Sequence, residues 1–388
     1  MELSIGQTQR NSANAAGQAY SAVGVSGTTV APLTPLRRPT WLPESVWPFQ
    51  TSALEVDGFR IAVTDVGEGP VLLFVHTGFW SFIWRDVIKR LAADFRCVCV
   101  DAPGTGQSDR LPTSSISLER ASHALIAVIE TLDLRDITLV FHDLGGPSGI
   151  AGAARVPDRI RGLCAVNAFA WKPSSMPFRG MLALMGATVV REFDALTQLI
   201  PRITTSAFGV GRHLDASSRN AFYAGIGRQG VRAFHSYLRD ARKSKSIYEQ
   251  LERALTGPLR RLPLFTIFGE RNDPLGFQPR WKQLFPQARQ MVVSKGNHFP
   301  MCDDPDLVAR SIRELHRDHV VPGLCSRPSG EQMRRPSQPD GVTNCISRWS
   351  YTEMPSEGGL SKKRACSRFE FAGLLSRAGN SDSTLVKE

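Results

Sequence analysis

No stretch of this 388-residue chain nears the eighteen or so consecutive apolar residues a membrane span requires, although 42% of its residues are hydrophobic. The first residues carry no charged-then-apolar pattern of an export signal. A cytoplasmic protein with no membrane partner is therefore expected. The seven cysteines form no C-x-x-C pair and no cluster with His at metal-ligand spacing, which speaks against a disulfide framework and a metal site. Cys97 and Cys99, two apart in "FRCVCVDAP", read as packing residues on one side of a buried strand. Dinucleotide and phosphate-loop patterns are also missing: "GTGQS" fails G-x-G-x-x-G, and no cofactor is expected. The net charge of +11 comes from scattered basic residues, without a recognition helix or an aromatic-interleaved basic strand pair. That charge reads as a solvated surface, and nucleic acid is not an expected partner.

What the chain does have is alternation. Residues 1–46 are rich in Ser, Ala, Gly and Pro and read as a disordered leader; 321–388 read as a disordered basic extension with a short helix at "FEFAGLLSRA". Between them, "SALEVDGFRIAVTDVG" has the pattern of a hairpin turning at Asp57-Gly58. "PVLLFVHTG", "FRCVCVDAPGTG", "ITLVFHD", "IRGLCAVNAFA", "LPLFTIFGE" and "ARQMVVS" read as strands separated by helical patterns, so most pairing is expected to be parallel. The alternation lapses over 171–258, which reads as a helical cap between the core segments 47–170 and 259–320. Ligands of open α/β sheets sit beyond the carboxyl ends of the strands, and the cap belongs there.

Five motifs stand just past those strands: "HTG" at 76–78, "DAPGTGQSD" at 101–109, "HDLGG" at 142–146, "GERNDP" at 269–274 and "GNHFP" at 296–300. In this order they resemble the α/β-hydrolase fold over about 270 residues. The resemblance implies a mostly parallel sheet flanked by helices, with a helical lid inserted after the sixth strand. "HDLGG" is similar to the nucleophile elbow of its aspartate-nucleophile branch, the haloalkane dehalogenases and epoxide hydrolases.

The residues support this reading independently. Gly145, Gly146 and Gly149 are the small neighbours a tight elbow needs, and Pro147 is tolerable in a helix's first turn. A carboxylate at Asp143 sits near the positive end of that helix. It can attack an electrophilic carbon without prior deprotonation, giving an alkyl-enzyme ester. Standing alone, Asp143 would be read as a helix N-cap. The resemblance makes His298 the base that activates water against the ester. A third group, an acid, orients such an imidazole; Asp273 is chosen, with Glu270 as fallback, although the family spacing falls on Asn272. Backbone N–H groups of Leu144 and of Thr77 or Gly78 are expected to receive the oxyanion. His76 shapes its loop, and Ser108 in "GTGQSD" reads as structural.

The leaving group is less well marked. Dehalogenases hold halide between N–H donors, usually a tryptophan after the nucleophile and a tryptophan or asparagine elsewhere; here Leu144 and Thr77 occupy the usual places. Trp80, Trp84, Trp171 and Asn167 are candidate substitutes, since an indole N–H only donates. Tyr223 and Tyr237 in the cap would serve the epoxide-hydrolase alternative. A small apolar substrate and water are the expected partners, and a non-catalytic ligand-binding protein on the same scaffold is the competing reading.

Overall fold

The structure, a computed structural model, describes residues 33–317. The expectations for 1–32 and 318–388 lie outside the described residues.

Nine strands form one sheet: β1 (Thr34–Pro35), β2 (Thr51–Val56), β3 (Phe59–Val66), β4 (Val71–Thr77), β5 (Arg96–Asp101), β6 (Ile137–Asp143), β7 (Ile160–Ala168), β8 (Leu264–Gly269) and β9 (Arg289–Val293). Their order is β1-β2-β3-β5-β4-β6-β7-β8-β9. β1 to β3 are antiparallel to their neighbours, and every pairing from β5 through β9 is parallel. The hairpin turns at Asp57-Gly58, both with positive φ (52° and 79°), and Val56 pairs with Phe59 across it. That is the two-residue turn whose backbone twist matches the strands. The runs "LLFV", "CVCV" and "TLVF" are buried on both faces because helices cover the sheet on each side.

Two expectations shift. The segment read as a leader up to 46 is ordered from 33 onward: β1 pairs with β2, Leu42 and Val46 are buried, and Arg38 donates to the carbonyl oxygen of Trp47. Its few apolar side chains find the core, which composition averaged over the whole leader hides. The helical insertion consequently follows the seventh strand rather than the sixth, because β1 lies in that segment.

The insertion comprises helices Met176–Met185, Thr188–Thr197, Leu199–Thr204, Ala216–Lys243 and Lys245–Thr256, the long one kinked at Gly227. A buried histidine ties three of them together. His235 on the long helix lies 2.8 Å from the Asp194 carboxylate and 2.5 Å from the Met185 carbonyl, and both His235 and Asp194 are almost fully buried. Removing the imidazole leaves a buried Asp194 oxygen without its partner, a loss of about 1–3 kcal/mol. His235→Ala is expected to raise amide exchange across 176–197 while the sheet stays protected; unchanged exchange there would refute the tie.

Candidate active site

Four strand exits converge at the carboxyl edge of the sheet. Asp143 ends β6 with φ 48°, in the left-handed region that costs a non-glycine residue about 1–3 kcal/mol and persists only where packing holds it. The packing is specific. The helix Gly145–Ala153 runs so close to its neighbours that a Cβ on Gly145 would stand 2.5 Å from the Val75 carbonyl oxygen. On Gly146 it would stand 1.9 Å from that of Phe169. The elbow is thus wedged between the exits of β4 and β7, and glycine is required at both places.

The Asp143 side chain caps nothing: the helix has no side-chain cap bond. It faces His298, whose Nε2 lies 3.6 Å from Oδ2, with side chains 35% and 22% exposed respectively. This is the juxtaposition expected from "HDLGG" and "GNHFP". The loop carrying His298 is held by the buried Asp303 carboxylate, which accepts the Asn297 N–H at 2.6 Å and has Arg212 of the cap 3.1 Å away. Asp304, by contrast, is the N-cap of helix Pro305–Leu315, as its sequence position suggests.

The third member differs from expectation. His298 Nδ1 lies 2.8 Å from Asn272 Oδ1. Asp273 instead accepts backbone N–H bonds from Phe277 and Gln278 at 2.6 and 2.9 Å, capping helix Phe277–Leu284, and half-burial pushes its carboxyl pKa up. Glu270 accepts the Lys295 N–H at 2.6 Å on the far side of that turn. Neither acid reaches the imidazole. Asn167, which the sequence suggests only as a leaving-group donor, also belongs to this cluster: it donates to Asn272 Oδ1 at 3.1 Å.

On the other side, β4 pairs with β6 in a register that sets Thr77 opposite Asp143, so the Thr77-Gly78 backbone enters its loop beside the elbow and the adjoining Leu144. The Thr77 hydroxyl is bonded to Ser148 at 2.7 Å. His76 Nδ1 accepts the Phe79 N–H, and burial drives its pKa down to about 3, so it is a neutral shaper of the loop. His142 is likewise buried and held well below the usual range; its Nε2 lies 2.8 Å from the His298 carbonyl, to which it donates. Ser108 is structural: its hydroxyl donates to Asp101 O and accepts the Ala62 N–H.

Some candidate leaving-group donors are committed elsewhere. Trp80 is fully buried and gives its indole N–H to Phe222 O at 3.2 Å. Tyr237 is buried and donates its hydroxyl to Pro103 O at 2.8 Å. Trp171 packs against Trp281 and Phe277 beneath Arg280. Trp84 keeps a buried N–H with no partner, its ring 6.4 Å from that of His142. Tyr223 is half-buried on the long cap helix.

Comparison with known proteins agrees with this architecture. The model of the alpha/beta hydrolase fold family matches residues 70–305. Haloalkane dehalogenase 2 of Mycobacterium bovis is 26% identical over 283 residues, 69% of this chain and 96% of that protein. The cis-3-alkyl-4-alkyloxetan-2-one decarboxylase of Shewanella oneidensis is 24% identical over 286 residues, 70% of this chain and 90% of that protein. Among solved structures, haloalkane dehalogenase DatA from Agrobacterium tumefaciens aligns with a TM-score of 0.57 at 23% identity, over 69% of this chain and 96% of that one. The fold is therefore shared with these enzymes along nearly their whole length. The chain belongs to the α/β-hydrolase fold family, and within it resembles the haloalkane dehalogenases.

Proposed function

We propose that this protein is a hydrolase in which Asp143 attacks an sp³ carbon of a small apolar substrate, as a haloalkane dehalogenase does. The observation that carries the reading is the uncapped Asp143 carboxylate at a left-handed elbow, 3.6 Å from His298 Nε2. One Asp143 oxygen forms a bond to the substrate carbon as the leaving group departs with its electron pair, giving an alkyl ester. His298 then takes a proton from water, whose oxygen adds to the Asp143 carboxyl carbon. The N–H groups of Leu144 and of Thr77 or Gly78 receive the oxyanion. Cleavage of the carboxyl–alkoxyl bond, with the proton returned from His298, releases an alcohol and leaves a carboxylic acid, which restores the carboxylate by giving its proton to solvent.

The test is a panel of primary bromo- and chloroalkanes assayed for halide and alcohol together. Equal release of both supports the reading, and halide from no member of the panel rejects it. A second reading rests on the commitment of Trp80 to Phe222 and the presence of Leu144 and Thr77 where halide donors usually stand. A substrate whose leaving oxygen belongs to a strained lactone ring, as in the oxetanone decarboxylase relative, needs no such halide clamp. Carbon dioxide release from a cis-dialkyl oxetanone, with no halide from the panel, would favour it. The epoxide alternative loses Tyr237, whose hydroxyl is bound to Pro103 O.

A further inference from the structure

Where a carboxylate is expected to hold the imidazole, this chain has two amides, and their hydrogen bonds run in one enforced direction. The chain of reasoning starts at a backbone group that cannot be reversed. Gly269 N–H, at the end of β8, donates to Asn167 Oδ1 at 3.0 Å. The Asn167 nitrogen must then face the other way, and it does: Nδ2 lies 3.1 Å from each of the Asn297 and His298 carbonyl oxygens and from Asn272 Oδ1. Because Nδ2 only donates, the Asn272 atom it meets is the oxygen. That same oxygen is 2.8 Å from His298 Nδ1, which must therefore carry the proton. Nε2 is left with its lone pair, facing Asp143.

The backbone is arranged for this. Asn167 has φ 40°, and the β6–β7 register steps from His142–Val166 to Asp143–Ala168, so Asn167 is a bulged residue. Bulges re-aim a side chain at a strand end, and asparagine tolerates the left-handed conformation better than most residues. The amide is turned toward β8 and the His298 loop as a result.

We propose that Asn167 and Asn272 are positioning residues that fix the Nδ1–H tautomer of His298 without supplying charge. The consequence for rate rests on the Asp143 ester reading. An anionic partner both orients an imidazole and stabilises the imidazolium formed as it accepts a proton; a neutral amide does only the first. Alkylation of Asp143 needs no base and is untouched by this difference. Ester hydrolysis needs the imidazolium, so it is the slow step, and the alkyl-enzyme accumulates during turnover by the native protein.

Two measurements on the full chain separate the relay from the chemistry. The first uses no substrate: long-range proton–nitrogen spectra of the histidine rings above pH 8. Expected is a protonated Nδ1 and a bare Nε2 at His298, with tautomers mixed in Asn167→Ala and Asn272→Ala. A native His298 protonated at Nε2 overturns the relay. The second is rapid quench with 1-bromohexane as probe, following alkylation and hydrolysis separately. Asn272→Asp, nearly isosteric and still able to accept from Asn167 and His298, is expected to hydrolyse the ester at least about tenfold faster, a part of the ~10²–10⁴-fold that a positioned base contributes in full. Its alkylation rate should stay within about twofold of native, because that step involves no base. The acid limb of hydrolysis should move to higher pH, since the added carboxylate favours the protonated ring. Equal hydrolysis rates and an unmoved acid limb would overturn the proposal. If no ester forms with the probe in either protein, the Asp143 reading fails for that substrate class, and the spectra alone decide the relay.

Discussion

Asp143→Asn is expected to abolish turnover, by roughly the 10⁶-fold scale on which hydrolases lose kcat when their nucleophile is removed. The substitution isolates the chemistry from the fold. Asparagine keeps the shape of aspartate and tolerates the left-handed φ of 48° at this position. No hydrogen bond of the elbow helix is lost, because the Asp143 side chain caps nothing. Thermal stability should therefore change little while covalent labelling disappears. Ligand affinity should survive, since the amide still fills the same volume. A variant that retains more than about a tenth of native turnover would remove Asp143 from the reaction, and with it the role proposed for His298. A native protein that binds but never turns over, with Asp143→Asn indistinguishable from it, would support the reading as a non-catalytic scaffold.

His298→Gln is expected to give the opposite covalent phenotype. Alkylation needs no base, so the ester forms; hydrolysis loses its proton acceptor and slows by about 10²–10⁴-fold. The intact mass of the variant should rise by one alkyl group per chain and stay there. A variant that turns over at the native rate, or one that never acquires the alkyl group, contradicts the division of labour between the two residues. The contrast with Asp143→Asn, one variant trapped and the other inert, is sharper than either loss of activity alone. The His298 loop is held independently through Asp303, Asn297 and Arg212, so the glutamine is not expected to move it.

Much of this was readable in the chain. The Asp57-Gly58 hairpin and the apolar runs of β4, β5, β6 and β7 are set by local chemistry: positive-φ residues at a two-residue turn, and β-branched or apolar residues in short unbroken stretches. Asp143 ends β6 and His298 lies in the loop after β9; what pairs them in the sequence is the resemblance of "HDLGG" and "GNHFP" to the aspartate-nucleophile branch. The third member could not be chosen with the same security. Asn272 and Asp273 are consecutive, and which side chain faces the imidazole depends on a turn in which Arg271 N–H is bonded to the Gly296 carbonyl, across the loops after β8 and β9. Asp273 had a local use that competes for it, as the cap of the helix four residues on. The family spacing falls on position 272, whereas the chemical preference for an acid over an amide points to Asp273, whose carboxylate is bonded to the Phe277 and Gln278 N–H groups instead. Trp80 and Tyr237 were plausible donors by type, but their partners, Phe222 O and Pro103 O, lie 142 and 134 residues away in sequence. Such commitments exist only once the cap has packed on the core.

Asn167 carries a signal whose purpose only the fold reveals. An amide near the end of a buried strand is costly unless it is bonded, and the sequence offered halide as its partner. The structure offers the Gly269 N–H, two carbonyl oxygens and Asn272 instead. A bulge that breaks the alternation of β7 is invisible in "AVNAFA", where every residue but one is apolar.

The central claim is that the acid at the β6 exit becomes covalently bonded to substrate and is regenerated by water attacking its own carboxyl carbon. Turnover in ¹⁸O-water followed by mass spectrometry of the peptide containing Asp143 tests it directly. The account predicts heavy oxygen in the Asp143 carboxylate, and an alcohol that carries ordinary oxygen in the first turnover. Heavy oxygen in the first alcohol, with none in that peptide after several turnovers, would mean that water attacks the substrate itself, and would contradict it.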